Sequence, residues 1–219
     1  MKRQILLLIA ALALPFALAG PVRAQTFLSL LEAVPDHFAT VELHLSRDGW
    51  RQTISGTIRR SGDKERHDLV VDGITRTVLV DYTKKQLIVP LPEFGRAFDL
   101  SFTTASTFLS RLSYQPVPVP EAVSVTEVAE SQEGGKTMTV FEIHHTGGPE
   151  PVTARLFVAK SGAILRLLVF EGGVDETPEL EVVVTSFAPG PQPAHLFMPS
   201  KKLVRLTPQM ASLVGFLRN

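Results

Sequence analysis

Cysteine is absent from all 219 residues of this chain. That excludes disulfides, a thiol nucleophile, and a lipid-accepting cysteine behind an export signal, so an exported form must be held together by its core alone. No excess charge of one sign is present either, with 22 basic residues against 22 acidic. The longest apolar run, Ile5 to Ala19, is shorter than the roughly 20 residues a spanning helix needs, and Pro15 interrupts it. No strained Gly-x-Ser-x-Gly elbow occurs, because Ser61-Gly62 and Ser161-Gly162 are turn dipeptides. Nor does any of the pairs Gly134-Gly135, Gly147-Gly148 and Gly172-Gly173 open a helix that could cradle phosphate. Together these absences argue against an enzyme, and no catalytic residue or cofactor is expected.

What is present begins with an address. Met1-Lys2-Arg3, the apolar run and Val22-Arg23-Ala24-Gln25 have the layout of a secretory signal, with cleavage predicted after Ala24. Removing residues 1–24 takes away Lys2, Arg3 and Arg23 and no acid, leaving 19 basic against 22 acidic residues, a net charge of −3. That balance argues against nucleic acid as a partner. The expectation is a soluble protein of the bacterial periplasm, a single domain over 25–219.

Residues 38–92 carry turn signals at nearly even intervals: Asp48-Gly49, Ser61-Gly62, Asp72-Gly73 and Thr83-Lys84-Lys85. Each separates runs rich in Val, Ile, Thr and Leu, which predicts an antiparallel meander. Val41, Leu43 and Leu45 alternate with polar residues, and Trp50, Ile54 and Ile58 share a face with Gln52 and Gly56. Lys64–Val71 is the most polar of these strands and is expected to meet water on both sides of its first half. Strands are also expected over 74–82 and 86–91.

A second meander follows, over 123–129, 137–145, 152–159, 163–170 and 180–187. Residues 163–170 are apolar on both faces, which requires cover on both sides. Helical spacing appears three times: Phe27, Leu30, Leu31 and Val34; Phe102, Ala105, Phe108, Leu109 and Leu112; and Met210, Leu213, Val214 and Leu217. Between the meanders, Gln115 to Pro120 alternates with proline and must be extended.

Six histidines raise the question of a metal. His144 and His145 are neighbours on one strand and point to opposite faces. His44 and His67 stand on separate strands, and cross-strand pairing would have to bring them together; solvated histidines are the default. The basic cluster Arg59, Arg60, Lys64 and Arg66 reads two ways, as a docking site for an anionic lipid or acidic partner, or as a solvated hairpin. Phe102, Phe108, Leu109 and Leu112 likewise could line a cavity or form ordinary core.

Several local signatures resemble one family. Gly56-x-Ile58-x-Arg60-x-Gly62-x-Lys64-x-Arg66, the hairpin from Asp72-Gly73 to Gln86, the strands 163–170 and 180–187, and Leu196-Phe197-Met198-Pro199 are similar to the LolA-like superfamily of periplasmic lipoprotein carriers and their relatives. The resemblance implies an α+β fold, a strongly curved antiparallel β-sheet forming an incomplete barrel, with a few helices covering its concave face. It further implies a divergent, monomeric binding protein that shields an acyl chain of a lipid or lipidated protein. Trp50, Ile54, Phe102, Phe108, Leu109 and Leu112 are then the candidate cavity lining, and Arg60 and Arg66 the candidates for headgroup or partner docking. The alternative is a periplasmic sensor or assembly factor that binds a protein.

Overall fold

The computed structural model describes residues 33–47, 50–101, 123–133, 135–145, 152–171 and 177–207. The first meander is β1 (His37–Arg47), β2 (Trp50–Ser61), β3 (Lys64–Val71), β4 (Ile74–Asp81), β5 (Gln86–Leu91) and β6 (Arg96–Ser101). The second is β7 (Val123–Glu133), β8 (Lys136–His145), β9 (Val152–Ala159), β10 (Ile164–Glu171) and β11 (Leu180–Pro189), and β12 (Val204–Leu206) closes the order. Turn chemistry fixes the hairpins locally. Asp72 and Gly73 both take positive φ, 51° and 75°, the geometry that lets a two-residue turn follow strand twist, and Val71 consequently faces Ile74.

The two meanders form a single sheet, ordered β12-β6-β5-β4-β3-β2-β1-β11-β10-β9-β8-β7. Its join is the antiparallel pairing of β1 with β11, strands far apart in sequence. Among the described strands only β12 runs parallel to its neighbour, β6. The sheet is open, with β12 and β7 at its edges. Side chains from five consecutive strands, β3, β2, β1, β11 and β10, line one cavity of about 60 Å³. A flat arrangement would set the outer two of those strands about 19 Å apart, so the sheet is concave around the cavity.

Strand periodicity sorts the two faces. The main core lies on the concave side, where Val41, Leu43, Ile54, Leu69, Val78, Val80, Leu156 and Val182 form one continuous cluster. The outer face carries two smaller buried clusters. Leu79, Ile88 and Ala97 pack with Leu203, while Met138, Val140 and Phe157 pack with Leu165 and Leu168. The expectation that 163–170 needs cover on both sides is met, since Leu167 joins the concave core and Leu165 and Leu168 the outer cluster.

Two sequence expectations are corrected. β6 was not anticipated, because Ala97 and Phe98 are both buried, one on each face, and this blurs the alternation. The first half of β3 is not wet on both sides: Glu65 and His67 are 4% and 1% exposed. Among the described residues the helical segments are two short 3-10 turns, Pro92–Phe94 and Ala194–Phe197. The three expected helices lie outside the described residues, apart from Val34 at the end of the first, and the export signal also lies outside them.

Candidate binding cavity

The cavity sits where β1, β2 and β3 curl toward β10 and β11. Val34, Ala39, Ile58, Ile164, Leu167, Val182 and Val184 give it aliphatic walls, and His37, Glu65, His67 and Arg166 complete its lining. Register explains the mixture. Ile58 lies opposite Ala39 on one side and His67 on the other, and Arg60 lies opposite His37 and Glu65. These six side chains therefore share the concave face, whereas Arg166 pairs with Val183 and Phe157 and turns its guanidinium to Phe157 and Glu181 on the outer face.

The polar part is a charge-compensated knot around Glu65. Its carboxylate accepts from Arg60 Nη1 at 2.7 Å, His67 Nε2 at 3.0 Å and Tyr82 Oη at 2.9 Å. Arg60 also stacks its guanidinium over the Tyr82 ring, 5.4 Å from the centroid. Burial alone would raise the Glu65 carboxyl, but the hydrogen bond and charge offered by His67, with the Arg60 guanidinium, hold it down to about 2. Burial and the Glu65 charge push the Tyr82 hydroxyl well above its usual range. Among the described residues His67 Nδ1 is buried and finds no hydrogen-bond partner.

A strap, residues 33–36, borders the cavity through Val34. Asp36 Oδ1 accepts from the Gly62 amide at 2.6 Å, and the Asp36 carbonyl accepts from the Gly190 amide at 2.8 Å. His37 Nδ1 donates to the Pro35 carbonyl at 2.8 Å, which fixes the proton on that nitrogen. Burial lowers the His37 pKa, against the opposing effect of this bond. At the other end the Ala33 carbonyl presses on Gly162, where an added Cβ would lie 2.4 Å from that oxygen. A larger groove of about 470 Å³ on the outer face is open and edged by Thr40, Thr57, Asp68 and Thr75. Its polar rim suits an apolar ligand less well than the smaller, aliphatic-walled cavity does.

The sequence candidates are dispersed. Ile54 is fully packed in the concave core between Leu43 and Val71 rather than on the cavity wall. Trp50 opens β2 opposite Arg47; its side chain, with Phe102, Phe108, Leu109 and Leu112, lies outside the described residues. Arg60 and Arg66 point to opposite faces. Arg60, a candidate for headgroup or partner docking whose cluster also reads as a solvated hairpin, is 4% exposed, whereas Arg66 lies on the outer face. There Arg66 Nε donates to Asp68 at 2.7 Å and Nη1 to the Leu196 carbonyl at 3.1 Å. Arg59 also binds Asp68, at 2.9 Å, so the cluster is largely neutralised internally.

His44 and His67 do not meet either, since His44 faces outward toward Thr53 and Glu42. Among the described residues, no group of three or more His, Cys, Asp or Glu side chains could hold a metal ion. The residues that sequence reasoning missed are Glu65, Tyr82, His37 and Asp36, and His67 was weighed only as a metal ligand. Their signal was the parity of β3, in which Glu65 and His67 share a face with Leu69 and Val71.

No protein-family model matches the chain, and no curated protein matches it. Solved structures do. An uncharacterized conserved protein from Thermus thermophilus is 11% identical, covering 82% of this chain and 98% of its own, with a TM-score of 0.53. A chain of the Pseudomonas aeruginosa MucA/MucB complex is 15% identical over 79% of this chain and 59% of its own length, at 0.43. The solved neighbours include a LolA superfamily protein. That protein, from Nitrosomonas europaea, is 10% identical over 78% of this chain and 97% of its own, with a TM-score of 0.42. At 11% identity the likeness to the Thermus thermophilus protein is one of fold alone.

Proposed function

We propose that this chain is an exported, non-enzymatic binding protein that shields an acyl chain, of a lipid or of a lipidated protein, on the concave side of its open sheet. The observation that carries the reading is the partly open cavity of about 60 Å³ with aliphatic walls from the four adjacent strands β2, β1, β11 and β10 and from the strap. Its volume is about that of two waters, so it takes only the end of a chain. A longer chain enters as the strap lifts from Gly62 and Gly190. Each methylene moved out of water contributes about 0.8 kcal/mol, so about a dozen carbons are held without a dedicated polar contact. The protein works as a monomer in the periplasm.

Native mass spectrometry of protein purified from the periplasm, followed by lipid extraction, tests this. A co-purifying acyl species near one per chain is the expected result. A clean ligand-free mass that stays unchanged after incubation with phospholipid and with lipopeptide would overturn it.

A further inference from the structure

The two edges of the sheet differ. At one, β12 is only 3 residues long and its first residue, Val204, donates its amide to the Gly95 carbonyl. At the other, β7 is 11 residues long and, among the described residues, β8 is its sole strand neighbour. A long edge strand offers a row of backbone donors and acceptors to any extended chain that fits. Within Val123–Glu133 there is no proline, lysine or arginine to obstruct it.

A bulge gives this edge a charge pattern. Before it Glu127 pairs with Phe141, and after it Ala129 pairs with Val140 and Glu130 with Thr139. The extra residue, Val128, resets the alternation. Phe141 belongs to the concave core, and Val140 to the outer cluster, so Glu127 and Glu130 both emerge on the concave side although three positions apart. Thr126 to Glu130 are all exposed, with Val128 at 46%. Among the described residues neither carboxylate has an ion-pair partner.

We propose that β7 is a docking edge for an extended, Lys- and Arg-rich peptide segment of a partner protein, which adds to the sheet as a further strand. The backbone edge supplies the ladder, Glu127 and Glu130 select positive charge, and Val128 offers an apolar contact at the bulge. The same acids act against self-association, because a second copy of β7 would bring glutamates onto glutamates. The inference is independent of acyl binding, since β7 contributes no residue to the cavity.

The test uses the full mature chain with two labelled, acyl-free synthetic peptides of β7 length, one alternating lysine with threonine and one alternating glutamate with threonine. Fluorescence anisotropy is read at low and at physiological ionic strength, with amide hydrogen exchange recorded alongside. The lysine peptide is expected to bind and the glutamate peptide not. Glu127→Lys with Glu130→Lys weakens binding about tenfold or more, added salt weakens it in the same direction, and slowed exchange is confined to Val123–Glu133. The proposal fails if the lysine peptide does not bind, if the double variant binds it equally well, if protection falls elsewhere, or if the protein dimerises through β7 instead. An acyl ligand found by mass spectrometry would leave each of these outcomes open.

Discussion

Arg60 and Glu65 face each other across the β2–β3 hairpin with 2.7 Å between Nη1 and Oε1, and both side chains are buried. The hairpin sets this contact, because Ser61 pairs with Lys64 around Gly62 and Asp63, placing the flanking residues side by side. Glu65 then gathers His67 and Tyr82 as further donors. A charge taken out of water is tolerable there only while its partners are in place.

Removing one partner is therefore worse than removing both. Arg60→Met leaves a buried carboxylate with weaker compensation and is expected to destabilise the fold by about 3 kcal/mol. Glu65→Leu strands the guanidinium and should cost about as much. The double variant Arg60→Met with Glu65→Leu should lose clearly less than the sum of the singles. Urea unfolding of all four proteins gives the coupling, and simple additivity would show that the pair does not act as a unit.

Acid should weaken the fold through the same carboxyl. Glu65 is held at about 2 in the folded protein against 4.5 for the free group, so the unfolded chain binds the proton first. Its contribution is fully present above about pH 4.5 and is lost as pH falls toward 2, a change of about 3 kcal/mol. His37, whose pKa burial lowers from 6.5, acts in the same direction at higher pH, because the folded state disfavours its protonation. Denaturant midpoints measured downward from pH 7 should fall from below about pH 6.5 onward. In Glu65→Gln the part below pH 4.5 should flatten. An unchanged acid limb in that variant would assign the loss to other groups, Asp68 first among them.

Gly56 has a packing role that its position in a strand conceals. It pairs with Val41 and with Leu69, and an added Cβ would lie 2.6 Å from both the Asp68 carbonyl oxygen and Leu69 Cδ2. Because one of those atoms is backbone, Gly56→Ala must push β3 away, at a cost of about 1–3 kcal/mol. The contrast is Gly73→Ala, where nothing lies within 4 Å and only the φ of +75° resists. That should cost about 1 kcal/mol. Thermal unfolding of the two variants ranks them, and equal losses would mean that β2 and β3 adjust without strain.

Much of this architecture was legible because turns and alternation agree. Asp72-Gly73, Ser61-Gly62 and the runs 64–71, 86–91 and 152–159 appear where periodicity puts them. What escaped around Glu65 follows from one assumption, that charge implies solvent. Arg60, Glu65 and His67 lie on the buried face of their strands because they satisfy one another, and the alternation of Leu69 and Val71 already indicated that face. The strap was hidden for a different reason. Asp36 acts through contacts with Gly62 and Gly190, which are brought to it by the β2–β3 turn and the end of β11, and no local pattern encodes those distances. The bulge in β7 was equally silent, since Glu127-Val-Ala-Glu130 carries no turn signal.

The strap gives the most direct handle on the proposed function. Asp36 ties it to Gly62 through its side chain and to Gly190 through its carbonyl, at 2.6 and 2.8 Å. Asp36→Ala removes the first tie and keeps the second, so it should cost about 1 kcal/mol of stability while shifting the strap toward an open state. Gly162→Ala loosens the opposite end by a different route, because its Cβ would meet the Ala33 carbonyl at 2.4 Å. That substitution also carries the strain of a φ of +83°, for which Gly135→Ala, at φ +76° with nothing within 4 Å, is the control. If the strap gates the cavity, stopped-flow uptake of an apolar, environment-sensitive dye should accelerate in the Asp36 and Gly162 variants, by about fivefold for a shift of about 1 kcal/mol. Uptake by the Gly135 variant should match the parent protein. Equal rates in all four proteins would separate strap from cavity and leave the ligand to enter by another face.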